Sequence, residues 1–125
     1  YAFRSLAELG AKVSFGTDCP VEDLNPFANL YCALTRKDLL HPEAAGYRPE
    51  EAFSLVEALA CMTENAAWQS FEEDRRGRIA PGMQPDLTIC DQDCFLLAPE
   101  QIKDVRSWMT ISQGKVQWQT EVFSD

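Results

Sequence analysis

The sequence predicts an α/β chain in two parts: helices around one strand up to Arg76, then mainly strands from Gly77 onward. Three observations carry this. Apolar residues recur at helical spacing in Tyr1, Leu6 and Leu9, and again in Phe27, Leu30, Tyr31 and Leu34. A short apolar run at residues 13–15 stops abruptly at Gly16, Thr17 and Asp18. Beyond Gly77 the pattern turns extended and is punctuated by the turn pairs Pro81-Gly82 and Gln113-Gly114.

The elements follow in chain order. The opening YAFRSLAELG reads as a helix that stops at Gly10, a residue suited to the left-handed C-terminal position. Val13, Ser14 and Phe15 read as a strand, and Pro20 cannot continue a central ladder, so Asp18 falls at or just past a strand's C-terminal end. Asn25 is placed to cap and Pro26 to open the next helix, which ends near Arg36 or Lys37. LLHPEAAGYRPE, with two prolines and a glycine, reads as an irregular excursion that overhangs a site. Ser54 and Glu57 have capping-box spacing, Phe53 is placed to staple against Ala58, and Thr63 reads as the cap of a second short helix reaching Phe71. Leu87 to Cys90 reads as a strand, APEQIKDV as a turn or one-turn helix crossing between strands, and SWMTISQGKVQWQT as a hairpin about Gln113-Gly114. The composition shift sets a boundary that divides residues 1–76 from residues 77–125.

Composition removes several function classes. Eleven lysines and arginines against 20 aspartates and glutamates give a net charge of −9 with no basic stripe, so nucleic acid is not an expected partner. No long apolar segment is of membrane-spanning length, so no membrane partner is expected either. The chain opens at Tyr1 and no signal peptide begins it; the cytoplasm is the default expectation, subject to any signal peptide upstream. Five cysteines at irregular gaps read as free thiols in a reducing compartment. Cys90 and Cys94 have no second pair and no nearby histidine, and read as strand and loop thiols in preference to a zinc site.

Asp18 is the residue that most invites a chemical role, because binding and catalytic groups collect past the C-terminal ends of strands in parallel α/β folds. Taken from its local string alone, an aspartate there is more often a turn former or helix cap. Cys19 beside it reads as a spectator thiol. His41 reads as a loop residue, with a substrate contact from the overhanging excursion as its alternative.

The series FGTDCPV, EAFSLVEALACMTENAAWQSFEE, RGRIAPGMQPDLTICD and ISQGKVQW resembles, in order and over nearly the whole chain, the C-terminal end of the metal-dependent amidohydrolase superfamily, nearest its amidohydrolase 3 branch. The resemblance implies a C-terminal fragment. Its fold class would be α/β: the last strand-helix unit of a TIM-like barrel in residues 1–76, followed in residues 77–125 by strands of a small composite β-sandwich domain. It implies a parent hydrolase that cleaves a carbon–nitrogen bond other than a peptide bond by metal-activated water, with Asp18 as catalytic general base and metal-adjacent carboxylate. A divalent metal, zinc by expectation, belongs to that parent, and a small molecule is its substrate; no substrate-binding residue can be assigned. The histidine-rich remainder of the metal shell has no counterpart here, so the isolated chain is expected to be inactive and to retain no metal. Self-association through an exposed barrel edge is a further expectation. The competing reading is a non-catalytic structural or protein-interaction domain in which Asp18 only turns the chain.

Overall fold

The fold is given by a computed structural model that describes residues 1–121. Four α-helices and a three-stranded sheet account for its regular structure. Helix α1, Phe3–Glu8, ends in a Schellman arrangement: the Gly10 N–H donates to the Ala7 carbonyl and the Ala11 N–H to the Leu6 carbonyl, with Gly10 at φ 92°. Helix α2, Pro26–Thr35, opens as its sequence predicts, with the Asn25 side chain accepting from the Phe27 N–H and Pro26 at the first position. It buries Phe27, Leu30, Tyr31 and Ala33. Helix α3, Leu55–Met62, carries the full Ser54–Glu57 capping box, and Phe53 and Ala58 on either side of the cap are both buried in the core. Helix α4, Glu64–Gln69, follows at once. Thr63 stands at the junction but does not cap α4; its hydroxyl donates backward to the Leu59 carbonyl at 2.8 Å.

The strands are β1, Leu87–Cys90, β2, Ser107–Ser112, and β3, Lys115–Gln119, in the order β1-β2-β3 and antiparallel throughout. Gln113 at φ 51° and Gly114 at φ 76° form the tight turn between β2 and β3, both central residues having the positive φ of a type I′ hairpin. Between β1 and β2 the chain runs through two 3-10 helices, Cys94–Leu96 and Pro99–Asp104. The second lies against α2 and sends Ile102, with Val105 just after it, into one cluster with Phe27, Leu30, Ala33, Phe53, Ala58 and Cys61. That shared cluster is the core. Another fastening is polar: buried Glu51 accepts from the Ser5 N–H and hydroxyl and pairs with Arg48, tying α1 to the turn before α3.

This architecture corrects the expected fold class. The described residues form an open sheet of three antiparallel strands, not a strand-helix unit of a TIM-like barrel followed by β-sandwich strands. A TIM barrel needs eight parallel strands closed on one another. Residues 13–15, expected as a barrel strand, have no regular secondary structure and join no sheet. The physical reason is that helices supply their partners: the Phe15 N–H donates to the Cys61 carbonyl of α3 at 3.3 Å, and side-chain amides take up carbonyls along the segment. Nor does a second sheet face β1–β3 among the described residues, so a sandwich is absent there as well. Residues 78–80, read as extended, lie outside the sheet and lead into a turn closed by the Met83 N–H on the Ala80 carbonyl.

Candidate functional site

The segment of residues 12–16 is held by three amide side chains. Gln69 Nε2 donates to the Lys12 carbonyl at 3.1 Å, Asn65 Nδ2 to the Val13 carbonyl at 2.9 Å, and Asn29 Nδ2 to the Gly16 carbonyl at 3.1 Å. Gln69 also accepts from the Ser14 hydroxyl at 2.6 Å. Asn65 and Gln69 are four apart in α4 and so share one helix face, while Asn29 approaches from α2. Two helices thus hold both ends of the segment that delivers Asp18.

Asp18 itself opens the turn that follows this segment. Its backbone is left-handed at φ 52°, a conformation aspartate tolerates better than most residues, and the Val21 N–H donates to its carbonyl at 2.9 Å to close the turn through Cys19 and Pro20. The residue is exposed, as are Cys19 and Pro20. Asp18 is thereby presented to solvent at the end of a braced segment.

Next to that end lies a cavity of about 270 Å³, lined by Phe3, Phe15, Gly16, Asn29, Cys32 and Arg36 among others. Arg36 follows α2 in a left-handed conformation at φ 58°, donates to the Tyr1 and Tyr47 carbonyls, and lies 5.9 Å from the Phe3 ring centroid. Burial pushes the Cys32 thiol up, Glu22 and Asp38 add to that, and Arg36 opposes it. Cys61, fully inside the core, is likewise raised by burial, with the Asn65 amide opposing. Neither is poised as a nucleophile at neutral pH.

The sequence-predicted residues are therefore not gathered into one constellation. His41 lies exposed in the excursion, 3.5 Å from Glu43, and no hydrogen bond or ion pair among the described residues joins it to Asp18 or Cys19. Among the described residues no three His, Cys, Asp or Glu side chains converge as a metal site. The described residues therefore do not supply the three or four protein ligands of a zinc centre. No helix among the described residues is long and apolar enough to cross a membrane.

The brace and the turn that carry Asp18 fall inside a stretch shared with known proteins: the model of a family described as "Amidohydrolase family" matches residues 1–117. The chain belongs to the amidohydrolase family. Among curated relatives it is 28% identical over 116 residues to YtcJ of Bacillus subtilis (strain 168), covering 93% of this chain and 22% of that protein. It is 25% identical over 119 residues to the N-substituted formamide deformylase of Arthrobacter pascens, covering 95% of this chain and 21% of the enzyme. The protein LONG AFTER FAR-RED 3 of Arabidopsis thaliana is 33% identical over 89 residues, covering 71% of this chain and 15% of the relative. The chain thus spans about a fifth or less of the length of these relatives. No solved structure matches it significantly.

The brace of Asn29, Asn65 and Gln69 was not legible as a set in this amidohydrolase-family sequence. Asn65 lies within the string EAFSLVEALACMTENAAWQSFEE, which gives no sign of the carbonyl that its amide meets. The only available signal for the brace was the i, i+4 spacing of two amides on a short helix, which does not say which backbone they meet.

Proposed function

We propose that this chain is the C-terminal part of a longer metal-dependent amidohydrolase that hydrolyses a carbon–nitrogen bond other than a peptide bond, with Asp18 as its general base. The observation that carries the reading is the exposed Asp18 carboxylate at the end of a segment braced by Asn29, Asn65 and Gln69, inside a chain matched by the family over residues 1–117. The name of the Arthrobacter pascens relative, an N-substituted formamide deformylase, supports the class of bond. In this role Asp18 accepts a proton from the attacking water at a carboxylate oxygen and returns it to the departing nitrogen. A divalent metal, zinc by proposal, supplies the lowered pKa of the water when bound. Asp18 would stand beside it, and the remaining ligands belong to residues outside this chain, since the described residues gather no such set.

Several corollaries share that reading. Alone, the chain is inactive and retains no metal. Residues 1–76 present the catalytic carboxylate and residues 77–125 carry the sheet, a division of role across a common core. The substrate is a small molecule and the setting is cytoplasmic. The segment of residues 13–15, which joins no sheet, is the edge through which the isolated chain self-associates.

The test uses the longer protein that contains this chain. Asp18→Asn is expected to lower kcat by about 10²- to 10⁴-fold with the far-ultraviolet circular dichroism unchanged. Undiminished hydrolysis by a folded Asp18→Asn protein would reject the general-base role and favour the non-catalytic domain. For the 125-residue chain, calorimetric titration is expected to show no tight, stoichiometric zinc binding, and sedimentation velocity a mass that rises with concentration.

A further inference from the structure

The cavity beside the Asp18 turn carries chemistry that the proposed hydrolysis does not use. Three phenyl rings line it in an edge-on chain: Phe3 meets Phe15 at 6.4 Å between centroids, and Phe15 meets Phe53 at 5.2 Å. Arg36 is the one charged residue among its lining residues, and no carboxylate lines it. Glu22 and Asp38 act on the Cys32 thiol but stand outside the lining. Arg4, Arg48, Arg75 and Arg76 all pair with carboxylates, whereas Arg36 makes no ion pair among the described residues. A smaller cavity of about 160 Å³ differs, because it mixes Lys12, Arg76 and Arg78 with Glu64 and Glu73. The Arg36 guanidinium is also held in place. Its residue ends α2 at φ 58°, and its carbonyl accepts from the Tyr47 N–H at 2.9 Å. Only glycine fits at position 46, where a Cβ would strike the Thr35 carbonyl, so the excursion comes back close against the helix end. Nε donates to the Tyr47 carbonyl at 3.3 Å and Nη2 to the Tyr1 carbonyl at 3.2 Å, while Nη1 has no partner among the described residues.

We propose that this cavity binds a small aromatic monocarboxylate, with the ring against Phe3, Phe15 and Phe53 and the carboxylate on the Arg36 guanidinium. The assignment goes beyond the proposed hydrolysis and does not rest on it. A volume of about 270 Å³ lies at the small end for ligand cavities, room for one ring and a short acid arm. The planar guanidinium matches a carboxylate, and the clamp on its other nitrogens lowers the ordering cost of meeting one. A phosphate dianion would bring a second charge for which the lining has no cation, into a chain of net charge −9. A neutral aromatic would cover the guanidinium without giving it a counter-charge, at a desolvation cost. Ser14 and Asn29 also line the cavity, but the Ser14 hydroxyl already donates to Gln69 and the Asn29 amide to the Gly16 carbonyl. Arg36 therefore supplies the orienting bond.

The test is a titration of the 125-residue chain with phenylacetate, followed by nitrogen–proton correlation spectra. Saturable shifts are expected at the amide signals of Gly16, Asn29 and Arg36, with a Kd near or below about 1 mM. Phenylacetamide, which keeps the ring without the charge, and acetate, which keeps the charge without the ring, should each bind at least about tenfold more weakly. Arg36→Gln should weaken phenylacetate by at least about tenfold, in a protein whose spectrum is otherwise that of the wild type. Gly16→Leu is a second variant that leaves Arg36 in place: a Cβ there meets no atom within 4 Å, so the side chain is accommodated and obstructs the cavity. It should also weaken binding by at least about tenfold. No saturable shift with phenylacetate, equal affinity for phenylacetamide, or shifts centred on Lys12 and Trp68 instead would overturn the proposal. These comparisons on the wild type decide it even if Arg36→Gln does not fold.

Discussion

The sheet of residues 87–119 closes its backbone groups on itself, whereas the irregular segment of residues 12–16 hands three of its carbonyls to side chains. In the sheet, Thr88 pairs with Thr110 and Thr110 with Trp118, so the ladder survives a change of almost any one exposed side chain. In the segment, the Val13 carbonyl depends on Asn65, the Lys12 carbonyl on Gln69 and the Gly16 carbonyl on Asn29. Backbone outside the helices therefore has two modes of support here, one indifferent to side-chain identity and one set by three amides. The mode that supports Asp18 is the fragile one.

The largest expected effect tests whether the two regions fold as one. Ile102 is 1% exposed and inserts from the β1–β2 crossover into the cluster formed by α2 and α3. Ile102→Ala is expected to cost about 2–5 kcal/mol through lost burial and the cavity left behind. Urea titration followed by both far-ultraviolet circular dichroism and tryptophan fluorescence should give coincident transitions in the wild type and the variant. Two separated transitions would split the sheet from the helices and break the comparison at its root.

Next in size is the side-chain support itself. Asn65→Ala removes the donor to Val13 and is expected to destabilise by about 1–3 kcal/mol, the cost of leaving a part-buried carbonyl unpaired. The control is Thr88→Ala on the exposed side of β1, expected to stay below about 1 kcal/mol because the ladder bonds are backbone to backbone. Equal losses at the two positions would show that the segment and the sheet are held alike after all.

The same contrast explains what could be seen from the sequence. Local chemistry was legible: Asn25 and Pro26 open α2, Ser54 and Glu57 build the capping box, and Gln113-Gly114 makes the hairpin, because each signal and its partner lie within a few residues. Pairing at long range was not. Val13, Ser14 and Phe15 are apolar enough to be extended, but three residues cannot specify whether a strand or a helix side chain will meet their carbonyls. The amides at Asn29 and Asn65 act across 13 and 52 residues, distances at which spacing carries no information. For the site, a turn at Asp18 was legible, whereas the strand expected before it is absent and the bracing of that segment could not be read.

A weaker effect, spread over both regions, comes from carboxylates. The Ser5 hydroxyl and amide hold Glu51 below the ordinary range, the Ser54 hydroxyl and amide do the same for Glu57, and the Gln113 amide, Gln84 and Ser112 do so for Asp86 beside the hairpin turn. A carboxyl whose folded pKa lies below its unfolded one stabilises fully above the unfolded value, about 4. That contribution is lost as pH falls through the folded value. The urea midpoint is therefore expected to be flat from about pH 7 to 5 and to fall below about pH 4. A midpoint unchanged down to about pH 3 would contradict these partnerships.

The smallest effect sharpens the role of partnership against mere burial. Tyr31 is fully buried in α2, and its hydroxyl has no hydrogen-bond partner among the described residues. Asn65 and Tyr31 both carry polar atoms inside the helical region, but the Asn65 amide has a carbonyl to meet and the Tyr31 hydroxyl does not. Removing a satisfied donor orphans its partner, whereas removing an unsatisfied group relieves its desolvation. Tyr31→Phe keeps the ring and its packing against the core, so it is expected to be neutral or to stabilise by up to about 1 kcal/mol. The readout is the urea midpoint at unchanged slope, measured beside Asn65→Ala. A loss of more than about 1 kcal/mol in Tyr31→Phe would mean that its hydroxyl is satisfied in solution. In that case the presence or absence of a partner would no longer separate the two positions.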